Sequence, residues 1–170
     1  MNVDHANEHG AFKPDIAPIR MSNLCCEIDL PTKPLNSYDD EKGEISLCTL
    51  SAINWGLINE PAEFEKYCTL AVRALDELLD YQSYPIEAAK KGTLSRRPLG
   101  VGIINLAYFL AKRGLKYDES AYKIVDEYAE AWSYYLIKAS ADLAAEKGRM
   151  IYNTSSKYSD GILPIDTYKE

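Results

Sequence analysis

Apolar residues recur at helical spacing in two long stretches of this chain. From Pro61 onward, Phe64, Tyr67, Cys68, Ala71, Val72, Leu75, Leu78 and Leu79 fall on one face. Asn59 or Glu60 is the expected cap, with Pro61 in the first turn, where its missing N–H is tolerated. A longer helix is predicted from Glu119 to Lys147, capped by Asp118 or Ser120 and ended by Gly148. Its apolar stripe is Ala121, Ile124, Val125, Tyr128, Ala131, Trp132, Tyr135, Leu136, Ala139, Leu143 and Ala144. Lys123, Asp126, Glu127, Glu130, Lys138 and Asp142 form the opposite, solvated face. Cys68 and the aromatic members of these stripes read as core packing.

Between these helices, a third is predicted from Gly102 to Arg113, apolar on most sides and ended by Gly114. Short strands are expected at Ser22–Ile28, at Ile45–Asn54 and at Ile162–Ile165 in a loop-rich tail. Residues 1–21 read as irregular, interrupted by Gly10, Pro14 and Pro18. The stretch Tyr81–Pro98 reads as a link, with one helical turn at Ala88–Lys91. Within it, Arg96-Arg97 could hold an anion, but a solvated or salt-bridged pair ahead of a structural turn is favoured. Gly100 and Gly102 lack the third glycine and the acidic residue of a dinucleotide-binding fingerprint.

Composition narrows the function classes. The 170 residues suffice for a real core, and the net charge is −7. There is no Lys/Arg-rich run to bind nucleic acid. No apolar stretch is long enough to span a bilayer and no signal-peptide pattern opens the chain, so a cytoplasmic location is expected. In that compartment the four cysteines are expected as thiols. The adjacent Cys25-Cys26 makes a poor zinc half-site, because the usual spacer is missing and His5 and His9 are the only imidazoles.

The candidate chemistry lies at Ser22-Asn23-Leu24-Cys25-Cys26-Glu27-Ile28. In an extended segment Asn23, Cys25 and Glu27 share a face, while Leu24, Cys26 and Ile28 point the other way and pack. The first face would carry an amide, a thiol and a carboxylate, a set suited to chemistry on a polyol. Alone, such a cysteine is more often a small buried hydrophobe.

The wider context changes that weighting. Met21–Ile28, Leu30-Pro31-Thr32-Lys33-Pro34-Leu35-Asn36 and Gly43–Ala52 resemble, in order and spacing, the catalytic barrel of class I ribonucleotide reductase large subunits. The resemblance continues through Arg96–Gly102 and Leu110-Ala111-Lys112 to Gly161–Lys169. It implies an α/β fold: part of a ten-stranded α/β barrel, helix-rich with few short strands. Residues 1–21 would lead in, 22–58 would supply active-site strands and a loop, and 59–170 would be mainly helical.

The same resemblance implies roles. Cys25 becomes a thiyl radical, Glu27 is the general base, Asn23 orients the sugar hydroxyls, and Cys48 is half of a redox-active dithiol. The partner thiol, nucleotide-binding regions and radical-transfer tyrosines belong to parts of the family outside this stretch. The chain is therefore expected to act only with the remaining large-subunit segments and a radical-generating small subunit holding a diiron-tyrosyl radical. The substrate would be a ribonucleoside diphosphate, and a thioredoxin- or glutaredoxin-type protein the reductant. This chain itself is expected to bind no metal or cofactor, no nucleic acid and no membrane. The alternatives are a noncatalytic remnant or a helical protein-assembly module.

Overall fold

The computed structural model describes residues 2–47 and 49–167. In chain order its elements are α1 (Val3–His9), β1 (Leu50–Asn54), α2 (Phe64–Tyr81), α3 (Glu87–Arg96), β2 (Gly100–Ile104), α4 (Leu106–Ala111) and α5 (Tyr122–Lys147), with short 3-10 turns among them. They form two compact units. One gathers Met1–Cys48, Gln82–Pro98 and Met150–Glu170; the other gathers Thr49–Tyr81 and Leu99–Arg149.

In the second unit β1 and β2 run parallel, with Leu50 opposite Gly100 and Asn54 opposite Ile104. β2 stands where the sequence predicts the start of a helix. Gly102 weakens a helix, and Val101, Ile103 and Ile104 suit a pleated strand. Helix α4 begins only after Asn105, whose backbone is left-handed at φ 66°. It ends at Ala111, short of the predicted Arg113, and Gly114 lies in the turn that follows, where the N–H groups of Gly114 and Leu115 donate to the Ala111 and Leu110 carbonyls, both at 3.0 Å. Strand β1 covers only the second half of the predicted Ile45–Asn54 strand.

Helices α2 and α5 pack together and supply most of this unit's core. Pro61 opens a 3-10 turn ahead of α2, with Glu60 as the extended cap residue. Phe64, Cys68, Val72, Leu75 and Leu79 are buried as the stripe predicts, whereas Tyr67 and Leu78, at the stripe's edges, are exposed. The Trp55 ring lies 5.5 Å from both Phe64 and Phe109, and Tyr128 of α5 closes the aromatic cluster at 4.7 Å from Phe109. Asp118 caps the turn before α5 by accepting from the Ser120 N–H at 3.0 Å. Burial pushes the Cys68 thiol up to about 12, which makes it a packing group.

The first unit departs further from the sequence reading. Asn2 caps a seven-residue helix, α1, in the region predicted to be irregular, its side chain accepting from the Asp4 and His5 N–H groups. The expected link carries a ten-residue helix, α3. Its hydrophobic pattern is weak because its buried face is made of Ala88, Ala89, Gly92 and Thr93. Gly92 permits the close approach: a Cβ there would stand 2.5 Å from the Ile45 carbonyl oxygen. The tail forms 3-10 turns, including Pro164–Thr167, where a strand was expected; Pro164 lacks the N–H a ladder needs.

Arg96 and Glu44 form the polar centre of this unit. The Arg96 guanidinium donates to Glu44 Oε2 at 2.9 Å and to Ser155 Oγ at 2.9 Å, and lies 4.9 Å from the Tyr152 ring. Lys33 Nζ reaches Glu44 Oε1 at 2.8 Å. Arg96 is thus salt-bridged and buried rather than solvated, and Arg97 makes the left-handed turn after α3 at φ 46°. Burial raises the Glu44 pKa, but the hydrogen bonds and charges of Lys33 and Arg96 outweigh it and leave the carboxyl below its ordinary 4.5. A depressed folded pKa contributes stability above 4.5 that is lost as pH falls through the folded value. Urea midpoints taken from neutral into acid should therefore fall more steeply for the native chain than for Glu44→Gln.

Candidate active site

The segment holding Asn23, Cys25 and Glu27 is a turn rather than the expected strand. Its loop is closed at the base by an antiparallel bridge between Ile19 and Pro31. Asn7 clamps Ile19 from both sides, accepting from its N–H at 2.8 Å and donating to its carbonyl at 2.9 Å. On the other arm, Ser46 Oγ donates to the Pro31 carbonyl at 2.6 Å and Arg20 donates to the Thr32 carbonyl at 2.6 Å. These contacts fix both feet of the loop and leave its tip open.

At the tip, the Cys26 N–H donates to the Asn23 carbonyl at 3.1 Å, and Cys26 adopts a left-handed backbone at φ 60°. The Asn23 side chain then locks the turn. Its Oδ1 accepts from the Ile28 N–H at 3.1 Å, and its Nδ2 donates to Glu27 Oε1 at 2.6 Å. Asparagine favours this geometry because its amide can satisfy nearby backbone groups, a competition that defeats a short strand. That signal was present in the sequence and competes with the alternation of side chains.

The turn therefore brings Asn23 and Glu27 together by folding, with Cys25 exposed between them. It does not bury the other three residues as strand alternation predicts. Leu24 is 97% exposed, Cys26 is exposed, and Ile28 alone of the three is half-buried. Cys48 lies outside the described residues. Among the described residues, no group of three or more His, Cys, Asp or Glu side chains could hold a metal ion, and no helix is long and apolar enough to cross a membrane.

The loop exposes a thiol between a hydrogen-bonded amide and carboxylate, and the chain is α/β, helix-rich with one parallel strand pair. Residues 1–170 match the family model of the ribonucleotide reductase barrel domain, and the chain belongs to that family. It is 59% identical over 170 residues to the ribonucleoside-diphosphate reductase 1 subunit alpha of Escherichia coli, covering 99% of this chain and 22% of that protein. Against the subunit alpha of Haemophilus influenzae the identity is 56%, with the same coverages. Against that of Enterobacteria phage T4 it is 46% over 176 residues, again 99% of this chain and 22% of the relative. The chain thus spans about a fifth of the length of these relatives. The exposed faces of Ile103 and Ile104 on β2 suit a part of a barrel, since parallel strands are normally covered on both sides.

Proposed function

We propose that this chain supplies the radical-bearing loop of a ribonucleoside-diphosphate reductase large subunit. The observation that carries this reading is the Asn23–Glu27 hydrogen bond of 2.6 Å on the turn that exposes Cys25, in a chain of the reductase barrel family. Cys25 is the thiyl position and takes hydrogen from C3′ of the ribose. The sulfur–hydrogen bond is weak enough to be oxidised by a distant radical and strong enough to make the abstraction reversible. Glu27 takes the 3′-hydroxyl proton as general base and later returns it, while the 2′-hydroxyl gains a proton from a thiol of the dithiol and leaves as water. Asn23 orients the sugar hydroxyls without adding charge.

Cys48 provides one half of the dithiol that delivers two electrons and becomes a disulfide. A radical-generating small subunit with a diiron-tyrosyl centre supplies the oxidising radical, and a thioredoxin- or glutaredoxin-type protein restores the dithiol. Turnover requires the other large-subunit segments. The test combines the chain with those segments and the small subunit and measures deoxyribonucleoside diphosphate formed. Glu27→Gln should lower kcat by on the order of 100-fold, the range for losing a general base. Unchanged kcat in that variant would remove Glu27 from the chemistry.

A further inference from the structure

The turn has a consequence that a strand would not. In a strand, adjacent side chains face opposite ways, and the sulfurs of Cys25 and Cys26 would be held apart. Here the left-handed backbone at Cys26 turns the chain, and both thiols are exposed at one loop tip. Cys26 Sγ lies 3.8 Å from the Leu24 carbonyl oxygen, a weak contact that leaves the thiol at the surface. The Asn23 lock holds the ends of this turn.

We propose that Cys25 and Cys26 form a vicinal dithiol, a modification site that a small-molecule disulfide such as glutathione disulfide closes into an intraturn disulfide. One cysteine thiolate attacks the glutathione disulfide, forming a mixed disulfide and releasing one glutathione. The neighbouring thiolate then attacks the protein sulfur, forming the Cys25–Cys26 bond and releasing the second glutathione. Two protein thiols are oxidised, one glutathione disulfide is reduced, and the two thiol protons go to the two glutathiones. The second step is intramolecular, so its effective concentration is high. Adjacent Cα atoms are only about 3.8 Å apart across a trans peptide, below the usual disulfide span of about 4.4–6.8 Å. The ring is therefore strained and readily reopened by a dithiol. Closure takes the Cys25 thiol out of use, a consequence that rests on its proposed catalytic role.

The experiment treats the native chain with excess glutathione disulfide and maps it after digestion. Cleavage after Arg20 and Lys42, with the Lys33–Pro34 bond resistant, gives a peptide whose only cysteines are Cys25 and Cys26. The expected peptide is lighter than the reduced form by two hydrogen atoms, carries no glutathione, and regains both thiols with dithiothreitol. Cys26→Ser should stop at one glutathione on Cys25. A native peptide that stays reduced, or that keeps one or two glutathiones, overturns the proposal. This mass readout is independent of turnover: a closed ring in an assembled enzyme that still reduces nucleotides would contradict the catalytic role of Cys25 and leave the dithiol site standing.

Discussion

Cys25→Ser is expected to abolish nucleotide reduction by the assembled enzyme while leaving assembly intact. The substitution exchanges one small side-chain atom at an exposed loop tip, so it removes no core contact. An alcohol O–H bond is much harder to oxidise than a thiol S–H bond, so a serine at this position cannot take over the radical. Asn23 and Glu27 keep their 2.6 Å hydrogen bond, which depends on neither sulfur, and the turn should persist. The measurement pairs a turnover assay with size-exclusion co-elution of the segments and the small subunit. Retained turnover in the serine variant would sink the assignment of Cys25; lost co-elution would mean that the loop is an assembly contact.

The second large effect is on stability. Arg96→Met should destabilise the unit built around Glu44 by about 3 kcal/mol, the lower end of the range for removing one partner of a buried ion pair. The Glu44 side chain is fully buried, and Arg96 supplies two of its donors, at 2.9 and 3.3 Å. Lys33, at 2.8 Å, remains and keeps the cost from the upper end of that range. Adding Glu44→Gln removes the stranded charge, so the double variant should recover part of the loss in urea unfolding, and the double-mutant cycle isolates the pair. A single variant as stable as the native chain would show that Lys33 alone satisfies the carboxylate. The effect should reach the candidate site, because the Glu44 backbone pairs with Lys33, two residues beyond the Pro31 foot of the loop.

The sequence by itself determined the two long helices and their buried stripes, and it placed Pro61 and Asp118 at the 3-10 turns that lead into them. In α2 and α5 the periodic pattern, Pro61, Asp118 and Gly148 all point to one conformation, and local preference agrees with tertiary burial. It also determined that Cys68 packs, and it placed an amide, a thiol and a carboxylate within five residues at Asn23–Glu27. Only the tertiary structure decided that Asn23 and Glu27 meet while Cys25 stays exposed between them. Alternation along a strand and closure by the Asn23 amide are both local options for this segment, and the feet of the loop, pinned by Asn7, Ser46 and Arg20, select the turn. Likewise α3 buries alanine, glycine and threonine, a face with almost no hydrophobic signature, and its Gly92 lies close against the Ile45 backbone, a contact made only in the folded chain. The change from helix to strand at Gly102–Ile104 is likewise tertiary: so short a run carries too little periodicity to choose, and β2 pairs with Leu50–Asn54, far away in sequence.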